Sequence, residues 1–276
     1  LNVKRFLFAP QPFCLLQKWS PRLEQLGFGA AVAGGGVLPQ PGGSAMTVDT
    51  PDLLVLAAEI AQLEGEDEEA FLGRLPKVQA ESIRRNRHAE DRRRRLLVRI
   101  LLVFGLHLVA RWSPQQTLAA LSTEKEGRPF LRGCPWEIGF SHAGKWAVCV
   151  LGKRTVIGRV GVDVEEVRPL AVDELAPVFS GPERRAIRAA AEPSTELIRR
   201  WTVKEAVLKA WGTGFLEDPR CVETGPSSAR GEAFGCCWEQ VDLDGGYWLT
   251  VAARLRWNAL KMVLPSKEEW RPLFPV

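Results

Sequence analysis

Asp163 and Glu165 stand two residues apart in the run Gly161-Val162-Asp163-Val164-Glu165. On a strand, residues i and i+2 share a face, so the two carboxylates project together while Val162 and Val164 turn to the core. Two carboxylates on one face supply the oxygen donors that a hard divalent ion such as Mg²⁺ takes. Taken alone, the same pair also reads as a solvated strand face. A second group lies in Trp201-Thr202-Val203-Lys204-Glu205-Ala206-Val207-Leu208-Lys209-Ala210-Trp211-Gly212-Thr213-Gly214. Helical spacing puts Glu205 and Lys209 one turn apart on one face, ordinarily a surface ion pair worth a few tenths of a kcal/mol, about 0.3. Here the helix carries aromatic neighbours that would bury it, and a Gly-x-Gly stop at its end. A charged pair on a buried helix needs a partner, and a metal-bound phosphate would serve both charges. The third group is Gly139-Phe140-Ser141-His142-Ala143-Gly144, preceded by Gly127-Arg128-Pro129. Neighbours on a strand point to opposite sides, so Ser141 and His142 are poorly placed as nucleophile and base. A hydroxyl, an imidazole and an arginine near a turn suit phosphate contacts better.

These groups need rigid elements to carry them. Asp52 to Ile60 is apolar and suits a first strand or equally a helix. An acidic run (Glu64, Glu66, Asp67, Glu68, Glu69) then leads into Phe71, Leu72 and Leu75 as a short helix ended by Pro76. Ala80 to about Arg111 reads as one long helical segment, arginine-rich in its first half and core-like from Leu96 to Val109. Glu137–Phe140, Trp146–Leu151 and Val156–Val164 read as strands, followed by helices over Glu183–Ala191 and Glu196–Trp211 parted by Pro193. Strands return at Trp238–Val241 and Tyr247–Leu255, with Asp244-Gly245-Gly246 as a hairpin turn. Helix then strands, twice over, predicts an α+β fold built twice, although no residue-level repeat is visible.

At 276 residues, the chain has room for roughly two domains of about 150 residues. With 37 basic and 33 acidic residues the net charge is +4, too balanced to indicate a nucleic-acid binder by charge alone. The six cysteines form no C-x-x-C pair, so free thiols in a reducing, intracellular compartment are expected rather than zinc or disulfides. The longest apolar stretch, Ile100–Ala110, is about half of the roughly 20 residues a membrane span needs. Residues 1–45 are basic, acid-poor and rich in Gly and Pro towards their end, which suits an organelle transit peptide or a disordered leader preceding Met46.

Taken in order, Gly127-Arg128-Pro129, Phe140-Ser141-His142, Gly161-Val162-Asp163-Val164-Glu165, Phe179-Ser180-x-x-Glu183 and Trp201-x-x-Lys204-Glu205-Ala206-x-x-Lys209 resemble the 4′-phosphopantetheinyl transferases. The spacings resemble the larger, surfactin-synthetase-type branch. The stretch His88-Ala89-Glu90-Asp91 followed by Leu96-Leu97 adds to the likeness, which covers about residues 50 to 260. The resemblance implies a pseudo-twofold pair of α+β halves with the active site in the cleft between them, placed here at 46–165 and 166–276. It implies transfer of the phosphopantetheine arm of coenzyme A to a serine of an apo acyl or peptidyl carrier protein, releasing 3′,5′-ADP, in fatty-acid or polyketide biosynthesis. By the same likeness Asp163, Glu165 and Glu205 would hold Mg²⁺, with Mn²⁺ an alternative. Glu205 would help deprotonate the carrier serine and Lys209 would offset phosphate charge. Arg128, Ser141 and His142 would grip the 3′-phosphate end, with Arg94 and Arg95 reaching the coenzyme A phosphates. The remaining arginines would attract an acidic carrier. Where the family places upstream lysines this chain has Gln79 and Ser82, and Ile138-Gly139-Phe140 precedes Ser141 where the family commonly has Asn-x. A monomer in the cytoplasm or an organelle, with neither nucleic acid nor membrane as partner, is expected. The competing reading is a nucleic-acid-binding protein that uses the arginine-rich helix 84–99.

Overall fold

Leu53–Glu59 form strand β1, apolar at nearly every position because both its faces are covered. Leu54, Leu56 and Ala58 enter one core cluster, while Leu53, Val55 and Ala57 enter another. A strand buried on both faces shows a continuous apolar run instead of alternation, which is why its sequence suits strand and helix alike. The computed structural model describes residues 51–275 apart from 67, 125–126, 213–216, 226–228 and 245. The expected leader, Met46, Cys14, Asp67, Gly214 and the Gly245 of the hairpin turn lie outside the described residues.

The chain continues through α1 (Glu68–Leu72), α2 (Lys77–Arg84), α3 (Ala89–Ala110), α4 (Pro114–Ala120), β2 (Leu121–Thr123) and β3 (Pro129–Leu131). Then come β4 (Trp136–Ala143), β5 (Trp146–Lys153), α5 (Arg154–Ile157), β6 (Val160–Glu166), α6 (Gly181–Ala189) and α7 (Pro193–Trp211). The last elements are β7 (Arg230–Ala233), β8 (Cys236–Leu243), β9 (Tyr247–Ala253), β10 (Leu260–Val263) and α8 (Lys267–Trp270). Two corrections to the sequence reading follow. The single long helix expected from Ala80 is two helices, because the Asn86 side-chain amide donates to the carbonyls of Ser82 and Ile83 and closes α2. The strand expected from Val156 starts at Val160, after a helical turn and Gly158 at φ +64°.

The fold is mixed α+β. One sheet has the order β10-β1-β5-β4 and the other β6-β9-β8-β7, with β2 and β3 as a separate ribbon. Val55, Val148 and Val150 of the first sheet meet Val162, Val164 and Leu249 of the second in a shared core. The outer face of the first sheet is covered by α3 through Leu97, Leu101 and Phe104, and that of the second by α7 through Val203, Ala206 and Ala210. Three strands of each four-stranded sheet share one order, and the fourth differs, β10 beside β1 and β7 beside β8. A first strand (β1 or β6) pairs with the last strand (β5 or β9), which pairs with the strand before it (β4 or β8), and the long helix lies between first and later strands. The boundary expected at 165/166 falls within β6, which pairs along its length with β9, and β10 returns to pair with β1. Among the described residues no single helix is long and apolar enough to cross a membrane, and Ile100–Leu106 of α3 is buried in the core. The five described cysteines are free thiols.

The two sheets are also joined at one rim. Tyr247 of β9 meets the β4–β5 turn, where the Lys145 N–H donates to the Tyr247 hydroxyl at 3.3 Å. Gly144 has φ +49°, and a Cβ there would sit 2.2 Å from the Tyr247 hydroxyl oxygen, so the turn has room for glycine only.

Candidate active site

The site forms where β6 lies beside β4 and beneath α7. Val162 and Val164 enter the core between the sheets, so Gly161, Asp163 and Glu165 face α7, as their alternation requires. The approach is close: a Cβ at Gly161 would lie 2.1 Å from the Ala206 carbonyl oxygen and 2.5 Å from the Ala210 nitrogen. Glycine at that position lets the helix settle onto the strand and brings Lys209 to Asp163.

Lys209 Nζ stands 2.6 Å from Asp163 Oδ1 and donates also to the Val162 carbonyl at 3.2 Å. The Ser141 hydroxyl donates to the same Asp163 oxygen at 3.0 Å and accepts from the Val164 N–H at 3.2 Å. Asp163 Oδ2 and Glu205 Oε1 are buried without a hydrogen-bond partner. Burial raises the Glu205 carboxyl to a pKa of about 8, with the Asp163 charge adding to it against the pull of Lys209. Burial likewise lifts Glu165 to about 8, reinforced by Asp163 and Glu205. Asp163 is raised by burial despite Lys209. For Lys209, burial opposes the charge, but Asp163 and Glu205 outweigh it and hold the ammonium above its ordinary value. Three acidic groups thus share Lys209, with Arg168 acting more weakly on Glu165, and the arrangement is short of positive charge.

His142 faces the other way, as neighbours on a strand must. Its pKa falls to about 3, through burial first and then the charges of Arg95, Arg94 and Lys209. Arg94 pairs with Asp91 at 2.8 Å and donates to the Gly144 carbonyl at 2.5 Å. Burial holds the Arg95 guanidinium below its usual range, with the Asp91 charge opposing. Two guanidinium groups acting on a neutral imidazole make this the more cationic side of β4, suited to an anion.

The structure therefore separates the nine expected site residues into groups. Asp163, Lys209 and Ser141 are in direct contact, with Glu165 and Glu205 coupled to them electrostatically. His142, Arg94 and Arg95 form the basic group. Arg128, near Gly212 at the end of α7, pairs with Glu137 at 2.5 Å and Glu124 at 3.6 Å, with Glu137 also held by Arg154. Ser141, expected beside His142 and Arg128, belongs to the carboxylate group. Among the described residues no three carboxylate, imidazole or thiolate groups are gathered as a ready metal cage. The donor chemistry nonetheless fits a hard divalent ion, because two buried carboxylate oxygens lack partners and the cation touching Asp163 is an ammonium.

Lys204 has a different role from its neighbour Glu205. It is fully buried, with its ammonium 3.0 Å from Glu183 Oε2 and donating to the carbonyls of Pro219 and Val222. Glu183 also accepts from the Thr224 N–H and hydroxyl. The Phe-Ser-x-x-Glu and Trp-x-x-Lys-Glu motifs are thereby one structural unit, which their separation in sequence hides. Glu137 and Asp91, the partners that orient Arg128 and Arg94, have no site role in the sequence reading, where Asp91 enters only within the His88–Asp91 stretch and Glu137 as a strand start. Only the burial of a carboxylate beside arginine marks them, and that appears with the fold.

Comparison with known proteins finds relatives of this chain. The chain is 30% identical over 117 residues to the L-aminoadipate-semialdehyde dehydrogenase-phosphopantetheinyl transferase of Schizosaccharomyces pombe (strain 972 / ATCC 24843), a match covering 36% of this chain and 45% of that protein. The chain thus matches less than half of that relative's length. Residues 159–252, which hold Asp163, Glu165, Glu205 and Lys209, match the 4′-phosphopantetheinyl transferase superfamily.

Proposed function

We propose that this protein transfers the 4′-phosphopantetheine arm of coenzyme A to a serine of an apo carrier protein. The observation that carries the reading is the Lys209–Asp163 contact beside the orphaned Glu205 oxygen, within the segment that matches the transferase superfamily. In the reaction the carrier serine oxygen forms a bond to the β-phosphorus of coenzyme A, the pyrophosphate P–O bond breaks, and 3′,5′-ADP leaves. Such a step needs positioning and charge neutralisation more than covalent help.

Each residue takes a part that its surroundings allow. Glu205 Oε1 is buried and unpartnered, and its raised pKa suits a general base for the serine proton near neutrality. Lys209 places a fixed ammonium at the strand where phosphate charge develops. Asp163, Glu165 and Glu205 would hold Mg²⁺ or Mn²⁺, which when bound supplies neutralisation of pyrophosphate charge. Arg94, Arg95 and His142 would receive the 3′-phosphate end, and Arg128, pre-oriented by Glu137, would line the adenosine side. Exposed Arg85 and Arg87 precede α3 and offer an acidic carrier a basic approach.

The nucleic-acid reading draws less support from the same arginine run, which spans α2 and α3. Arg84 is paired with Glu69, Arg92 with Glu68 and Arg94 with Asp91, and Arg99 folds onto the Arg95 carbonyl. The α3 arginines among these are engaged within the fold, whereas the Arg84–Glu69 pair is at the surface. The pseudo-twofold cleft of the larger transferases agrees with the repeated strand order. The test is incubation with coenzyme A, Mg²⁺ and a panel of apo carriers that includes L-aminoadipate-semialdehyde dehydrogenase, followed by mass spectrometry. A gain of one phosphopantetheine on a carrier supports the reading, and no gain on any carrier removes it.

A further inference from the structure

One row of side chains crosses the second sheet beneath α7. Asp163 of β6 is paired in register with Thr250 of β9, and Thr250 with Gln240 of β8. Partners in register share a face, so all three look towards the helix. On α7, Thr202, Glu205 and Lys209 are spaced i, i+3 and i+7 and lie along one side. The row meets that side at two polar points. Lys209 reaches Asp163 at 2.6 Å, and the Thr250 hydroxyl donates to the Thr202 hydroxyl at 2.9 Å. The Thr202 hydroxyl donates in turn to the Arg199 carbonyl at 2.9 Å. Gln240 Nε2 lies within 2.9 Å of both threonine hydroxyls and of the Arg199 carbonyl, and donates among them. Arg199 closes the ring by donating to Gln240 Oε1 at 3.2 Å, while Glu196 holds its guanidinium at 2.7 Å. Thr202 and Thr250 are fully buried.

Glu205 lies between these two points, and its Oε1 is buried without a hydrogen-bond partner. The place of that atom therefore follows from where α7 sits. Apolar packing of Val203, Ala206 and Ala210 keeps the helix on the sheet but is non-directional, so it does not fix sliding or rotation. The four-carbon stem of Lys209 can follow a shifted helix. Threonine is short and restricted at χ1, so a contact between two threonine hydroxyls tolerates little movement. A buried polar network with its members satisfied specifies one arrangement. We infer that the Thr250–Thr202 hydrogen bond, backed by Gln240, fixes the seat of α7 and so holds Glu205 against Asp163. Thr250 is thereby a positioning residue for the transfer, an inference that rests on the transferase reading.

The test is steady-state transfer by the full chain, with coenzyme A, Mg²⁺ and the apo carrier that the wild type modifies. Calorimetric titration with 3′,5′-ADP and urea unfolding accompany it. Thr250→Val keeps the shape of the side chain and removes the hydroxyl. It should lower kcat about tenfold, with KM for coenzyme A and the affinity for 3′,5′-ADP changed less than about twofold. Thr202→Val removes the other end of the bond and should give the same split. Thr250→Ser restores the hydroxyl and should bring kcat back to within about threefold of wild type. Leu101→Ala truncates the core between α3 and the other sheet. It should lower the urea midpoint at least as far as Thr250→Val while leaving kcat unchanged. Wild-type kcat in either valine variant, no recovery in Thr250→Ser, or an equal fall of kcat in Leu101→Ala overturns the positioning role and leaves the transferase reading standing. A wild type that modifies no carrier removes the transferase reading and the positioning role with it.

Discussion

Lys209 of α7 and Asp163 of β6 meet at 2.6 Å across the join of helix and strand, with the Ser141 hydroxyl on the same carboxylate oxygen. The contact joins three elements, β4, β6 and α7, and none of them could place it alone. It exists because Gly161, two residues before Asp163, lets α7 descend onto the strand.

Gly161→Ala tests that dependence. The added methyl would meet backbone atoms of Ala206 and Ala210, which cannot rotate away as a side chain can. Overpacking of this kind destabilises by about 1–3 kcal/mol, so the melting temperature should fall by several degrees. Transfer should fall further than stability explains, because Lys209 is carried away from Asp163. A variant with unchanged melting temperature and unchanged turnover would show that the helix position does not matter.

Glu205→Gln keeps the shape of the side chain and removes its basic oxygen. Turnover should drop by about 100-fold or more, the range of general base loss, with 3′,5′-ADP binding retained. The measurement is single-turnover modification of a carrier by mass, beside calorimetric titration. Near-normal turnover would relieve Glu205 of its role.

His142 gives a pH signature. Its folded-state pKa of about 3 lies below the ordinary value of 6.5, so the unfolded chain binds its proton more readily. The stability from keeping His142 neutral is fully present above about pH 6.5 and is lost as pH falls towards 3, by up to about 1.4 kcal/mol per pH unit. Urea midpoints of wild type and His142→Gln, compared between pH 7 and 4, should diverge by that slope. Parallel curves would mean that the imidazole titrates normally.

Lys204 and Glu183 form a buried pair whose members depend on one another. Lys204→Met leaves the Glu183 carboxylate buried without its cation, a change that costs about 3–5 kcal/mol. The double variant Lys204→Met, Glu183→Gln should recover much of that loss. Equilibrium urea unfolding of the two variants checks both, and an equal loss in each would place the effect elsewhere.

The chemistry of the site was more legible in the sequence than its grouping. Strand alternation alone set Asp163 and Glu165 on one face and Val162 and Val164 in the core, and it parted Ser141 from His142. Alternation says nothing of which strand lies alongside, so it could not show that Ser141 would join Asp163 or that Arg128 would be taken by Glu137. The extent of α3 was misread because the same arginine-rich, helix-favouring composition runs through the Asn86 break. The doubly covered β1 stayed ambiguous because burial on both faces erases the period that distinguishes strand from helix.

Tyr247 is the chain's one tyrosine against ten tryptophans, and it sits against the turn whose Gly144 carbonyl also receives Arg94. Fluorotyrosine incorporation would therefore give a single ¹⁹F resonance, from a ring wedged between the two sheets and one residue's breadth from the basic group. The protein thus carries its own spectroscopic label at the seam. An anion engaging Arg94, or any loosening of one half against the other, would be read there as the movement of one line.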